Sequence, residues 1–79
     1  MGKLKIQFGK RLQALRREAG ITQEQLADKI GLTVESISNI ERGLFGPKFE
    51  NLEKIATVLK VPVKTLFEFE RGESGKSQS

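Results

Sequence analysis

The 79 residues allow one domain around one small core and no more. With neither cysteine nor histidine present, disulfides, thiolate clusters and the usual zinc sites are excluded, and the commonest general base is missing. The net charge of +4 is unevenly placed. Residues 1–48 hold nine basic against five acidic side chains, while residues 49–79 balance five against five. Such a one-sided basic surface attracts a polyanion, either nucleic acid or an anionic membrane.

In chain order, Phe8, Leu12, Leu15 and Ala19 recur at helical spacing up to Gly20. No capping Ser, Thr or Asp marks the start of this first helix, which is placed near Gln7, and Gly9 inside it counts as a small propensity cost. Thr22 is a good N-cap, and Gln25 three residues on completes a capping box for a second helix over 23–30. Leu26, Ala27 and Ile30 form its inner face, and Gly31 supplies the left-handed residue that ends it. Thr33 caps a third helix over 34–42, with Ile37 and Ile40 pointing inward and Gly43 closing it. Gly46 and Pro47 then signal a turn.

A fourth helix starts at about Phe49. Glu50 and Glu53 suit the positive end of its dipole, and Leu52, Ile55, Ala56 and Leu59 make its apolar stripe. Pro62 is expected to stop that helix and open a short fifth one from Val63 to about Phe67. The closing RGESGKSQS is polar and rich in Gly and Ser, so residues 71–79 are expected to form a flexible tail beyond a domain of residues 1–70. The expected fold class is all-α, a compact bundle of five short helices. No apolar run is long enough to span a bilayer, and the start MGKLKIQFGK lacks the apolar core of a signal peptide. A cytoplasmic protein with no membrane contact is therefore expected, and the absence of cysteine fits a reducing compartment.

Function concentrates in residues 23–43. Two short helices meet across Gly31-Leu32-Thr33, with small Ala27 allowing close approach and Ile37 and Ile40 pinning the third helix to the second. A helix-turn-helix built this way offers its second helix to the major groove of DNA. At about 100° per residue, Glu35, Ser38, Asn39 and Arg42 lie opposite the Ile37/Ile40 side. This outward set mixes hydrogen-bonding groups of moderate length, which suits base edges better than simple solvation.

The run GITQEQLADKIGLTVESISNIERG resembles the helix-turn-helix of the phage-repressor and Cro-like (lambda-repressor-like) family of small bacterial and phage regulators. The likeness extends from about Phe8 to Phe67. It implies a homodimer bound to a partly palindromic double-stranded DNA operator, acting in transcription regulation without a cofactor or metal. It also matches Val34, Glu35 and Asn39 to base-contacting positions. The chemistry suggests a thymine methyl for Val34, cytosine N4 for Glu35 and bidentate adenine for Asn39. Ser38 is expected to reach a base edge or a phosphate. Glu35 has a solvated or intramolecular pairing as its alternative, and Ser36 turns inward to packing.

Phosphate contacts are expected from Gln23, matched by the resemblance, and from Thr33 beside its capping role. Arg42 and Lys48, which flank the loop after the third helix, and Arg11 and Arg17 on the first helix complete the set. The resemblance further pairs Arg16 with Glu41, tying the first helix to the end of the third. Leu44 and Phe45 either fold back onto the core or help form an interface. The resemblance puts the dimer surface near Lys60–Leu66, with Phe69 a second candidate.

Rival classes fare worse. No nucleophile with a base, phosphate loop or metal cluster points to an enzyme. An antitoxin of a toxin–antitoxin pair would bind a partner protein as well as DNA, and Phe45 and Phe69 leave room for one. A membrane-surface peptide at MGKLKIQFGKRLQALRR competes poorly, since its narrow apolar stripe is needed by the core.

Overall fold

The computed structural model describes residues 3–69. Its elements are α1 (Lys3–Glu18), α2 (Gln23–Ile30), α3 (Val34–Glu41), α4 (Phe49–Leu59) and a closing 3-10 turn (Val63–Phe67). The all-α class holds, with four α-helices and one 3-10 turn in place of five helices. Each element sends a fully buried apolar side chain to one core: Leu12, Leu26, Ile37 with Ile40, Ile55 and Leu66. Burying each of these contributes roughly 1.5–3 kcal/mol.

Helix α1 buries Phe8, Leu12 and Leu15 as their spacing predicts, but it begins at Lys3 rather than Gln7. Its first turn holds no acidic side chain and exposes Leu4 and Ile6, so neither a dipole signal nor the apolar stripe marks it. Ala19 lies past the helix end and is exposed, not part of the inner stripe. Gly9 is more than a tolerated propensity cost. A Cβ built there would stand 2.5 Å from the carbonyl oxygens of both Ile40 and Glu41. Glycine therefore lets α1 cross the end of α3 backbone against backbone.

Helices α2 and α3 follow their local signals closely. Gly31 adopts φ 77°, and the Leu32 N–H closes on the Ala27 carbonyl at 2.9 Å, a Schellman arrangement that ends α2. The end of α4 differs from the sequence reading. Lys60 takes the left-handed conformation at φ 62° and donates its N–H to the Ala56 and Thr57 carbonyls, so the helix ends at Leu59, ahead of Pro62. Pro62 instead caps the next segment, where Thr65 N–H bonds the Pro62 carbonyl at 2.9 Å in the i to i+3 pattern of a 3-10 turn.

That turn sets Leu66 into the core and Phe67 against α1, its ring 5.2 Å from that of Phe8. Phe69 packs half-buried beside it, its ring 6.2 Å from Phe67. Leu44 and Phe45 remain exposed at 53% and 43%, so the fold-back alternative is not the one adopted. The residues expected to form the tail, 71–79, lie outside the described residues, as does the expected domain limit at 70. No helix among the described residues is long and apolar enough to cross a membrane.

Candidate nucleic-acid interface

Two caps position the elements that meet at the site. Thr22 Oγ1 accepts from Gln25 N–H at 3.0 Å, and Gln25 Oε1 accepts from Thr22 N–H at 2.8 Å, so the capping box of α2 is complete. Thr33 Oγ1 accepts from Ser36 N–H at 3.1 Å and donates to Ser36 Oγ at 3.1 Å, which fixes the first turn of α3. Each such cap stabilises its helix by ~1 kcal/mol. That matters for helices of only 8 residues.

Helix α3 packs against both α1 and α2. It buries Ile37, Ile40 and Glu41, and these three fix its rotation. The opposite side presents exposed Glu35, half-buried Ser38 and Asn39, and exposed Arg42 at its C-cap. Ser36 is half-buried and tied to Thr33. Three of the four expected base-contacting residues, Glu35, Ser38 and Asn39, thus share that side of α3. Val34 stands at its N-terminal edge with 41% of its surface open.

A buried ion pair locks this helix to α1. Arg16 Nε donates to Glu41 Oε2 at 2.7 Å and Nη2 donates to Glu41 Oε1 at 3.1 Å, a bidentate fork. Arg16 Nη1 donates to the Ile21 carbonyl at 2.8 Å, which joins the α1–α2 connection to the same group. The side chains are 8% and 1% exposed, so loss of either would strand a buried charge. Arg16 is directed into the protein, with all three of its hydrogen bonds internal.

Beside this pair lies an open cleft lined by Gln13, Arg17, Thr22, Gln23, Glu24 and Val34, where the end of α1, the start of α2 and the first residue of α3 converge. The leading N–H groups of α2 point out of its end, the arrangement that favours an anion. Gln23 is half-buried and its Nε2 donates to Glu41 Oε1 at 2.9 Å. Arg17 is exposed on the cleft wall, and Arg42 and Lys48 are exposed at either end of the loop between α3 and α4. Arg11 is directed elsewhere. Its Nε donates to the Thr65 carbonyl at 3.0 Å, and Nη2 lies 3.9 Å from Glu68.

Sequence reasoning passed over Gln13, whose Nε2 donates to Glu41 Oε1 at 3.3 Å. Its position three residues before Arg16 places it on the same side of α1, a signal that was available once Arg16 was paired with Glu41.

A model of the helix-turn-helix family matches residues 12–66, most of the chain, including α2, α3 and both residues of the Arg16–Glu41 pair. The transcriptional repressor RghR of Bacillus subtilis is 43% identical over 60 residues, covering 75% of this chain and 44% of the relative. This chain spans about half the length, or less, of such relatives, at 44%, 43% and 50% of three of them. Among solved structures, the restriction-modification controller protein C.AhdI of Aeromonas hydrophila superposes with a TM-score of 0.76 at 36% identity, over 80% of this chain and 96% of that one. The P22 c2 repressor, solved in complex with a synthetic operator, gives a TM-score of 0.73 at 28% identity over 80% and 96%. From sequence match and fold together, the chain belongs to the helix-turn-helix family, among relatives that include transcriptional repressors of bacteria and phage.

Proposed function

We propose that this chain is the DNA-binding domain of a cytoplasmic transcriptional regulator of the repressor or controller type. It binds a partly palindromic operator as a homodimer, with α3 in the major groove. One observation carries the reading. Helix α3 is capped by Thr33 and held in rotation by the buried Arg16–Glu41 pair, and it turns Glu35, Ser38 and Asn39 to its outer side, with Val34 exposed at its N-terminal edge. A reading helix needs such a rigid mount, since a small rotation would move every side chain off its base edge.

Phosphate contacts fall to Gln23 and Arg17 on the cleft, to Thr33 at the α3 cap, and to Arg42 and Lys48 at the ends of the following loop. Arg11 could join them only by leaving Thr65 and Glu68, so it ranks last. The P22 c2 repressor supports the choice of ligand, having been solved with operator DNA. Exposed Val63 and Phe67, next to half-buried Phe69, give an apolar patch for the second copy.

Selection of bound duplexes from a random pool tests the reading directly. The expected product is a motif with two related half-sites about one helical turn (~34 Å) apart, bound by two chains in sedimentation. A pool that never converges would overturn sequence-specific binding, and one chain per fully protected site would overturn the homodimer.

A further inference from the structure

Glu41 has more partners than an ion pair requires. Its carboxylate accepts four hydrogen bonds: from Arg16 Nε and Nη2, from Gln23 Nε2 at 2.9 Å and from Gln13 Nε2 at 3.3 Å. The two glutamines come from opposite walls of the cleft, one on α1 and one at the first position of α2. An ionised carboxylate only accepts, so each amide must turn its nitrogen, not its oxygen, toward Glu41. Each amide nitrogen carries a second N–H, and that one is left for another acceptor.

We propose that Glu41 is a positioning residue for DNA-backbone binding, and that Gln13 is a phosphate-contacting residue alongside Gln23. Held from beneath by one buried carboxylate, the two amides cannot flip, and their remaining N–H groups face the cleft as a fixed pair of donors for one phosphate. Arg16 contributes by charge: beside it, the negative charge of Glu41 is offset and does not repel the incoming phosphate. The glutamines differ from Arg42 and Lys48 in being neutral. They add directed hydrogen bonds without displacing counterions, so their contribution is insensitive to salt. This inference rests on the reading of the α2 and α3 ends as DNA-contacting.

The test begins with the unmodified chain. Side-chain 15N relaxation should find the Gln13 and Gln23 amides as rigid as the backbone, and mobility equal to that of exposed Gln7 would overturn the positioning role. Binding to a short mixed-sequence duplex at low salt is then measured for Gln13→Ala, Gln23→Ala, Glu41→Gln and their combination. Gln13→Ala and Gln23→Ala should each lose roughly three- to tenfold in affinity with an unchanged salt slope, whereas Glu41→Gln, which uncovers the Arg16 charge, should lose affinity while steepening the slope. Glu41→Gln should cost nothing further once both glutamines are alanine. An equal loss in that background would mean Glu41 serves the fold alone. Should Glu41→Gln fail to fold, the two alanine variants still decide, because unchanged affinity in both refutes the donor pair. A wild-type chain that binds no duplex would instead sink the DNA reading, with the relaxation result standing apart.

Discussion

Gly9→Ala separates two opposite expectations at a single atom. In an exposed helix interior the exchange of glycine for alanine gains about 1 kcal/mol. Here the added Cβ would lie 2.5 Å from the Ile40 and Glu41 carbonyl oxygens and 2.9 Å from the Glu41 carbonyl carbon. These neighbours are backbone, so no side-chain rotation can relieve the contact. Helix α1 would have to lift from the end of α3, drawing Phe8 and Leu12 out of their packing and stretching the Arg16–Glu41 fork. Overpacking of this sort costs typically ~1–3 kcal/mol, and backbone neighbours put this case at the top of that range or beyond. The net loss is then about 2 kcal/mol after the propensity gain, a fall of roughly 8–16 °C in Tm for a domain of this size. Thermal unfolding followed by far-ultraviolet circular dichroism reads it. Ala14→Gly, at an exposed position of the same helix, calibrates the propensity term and should cost about 1 kcal/mol. A Gly9→Ala chain that melts at or above the wild-type temperature would refute the close-approach argument.

Lys60→Gly should act in the opposite direction, since it removes the strain of a left-handed non-glycine residue at φ 62°. The expected gain is ~1 kcal/mol in a melt, and no gain would mean that the Lys60 side chain makes compensating contacts. Arg42→Ala and Lys48→Ala should weaken binding to all duplexes about equally, each lowering the salt slope by ~1, and a changed sequence preference would place that residue at a base instead. Asn39→Ala should cost ~1–3 kcal/mol on the selected operator and relax preference at one base pair per half-site, while Glu35→Ala should lower discrimination and raise non-specific affinity. If discrimination survives both substitutions in chains that melt normally, α3 is not the reading element.

What could be read in the sequence was whatever lies within a few residues of its cause. The Thr22–Gln25 capping box, the Thr33 cap and the Gly31 stop are local, so α2 begins and ends, and α3 begins, where those residues put them, while α3 ends at Glu41, one residue short of the expected 42. The stripe of α4 is likewise local, and its buried residues are the expected ones. Features set by distant parts of the chain were missed. Gly9 is explained only by the α3 carbonyls some thirty residues away. Lys60 stops α4 in a conformation that lysine seldom adopts, which no propensity would select. At the site, the outward side chains of α3 follow from periodicity, but which polar groups are already engaged does not. Arg11 and Arg17 look alike in the sequence, yet only Arg11 is drawn to Thr65 and Glu68 by the 3-10 turn. Gln13 carries no motif of its own, and its only signal is the three-residue spacing to Arg16, whose meaning depends on Glu41 being shared between them.

The shortness of α2 and α3 has a thermal consequence. At 8 residues each, they fall below the ~12–15 residues at which an isolated helix becomes even marginally stable in water. The outward edge of α3 therefore exists only while Ile37 and Ile40 remain seated against α1 and α2, and no peptide cut from residues 22–43 would retain it. Recognition and global folding become one cooperative transition, and a ligand that occupies this edge raises the melting temperature by mass action. Under the proposed function, heat then acts on control as a switch rather than a dimmer. A weakened contact anywhere in the bundle, even at Leu66 in the 3-10 turn, would lower the temperature at which this edge is lost.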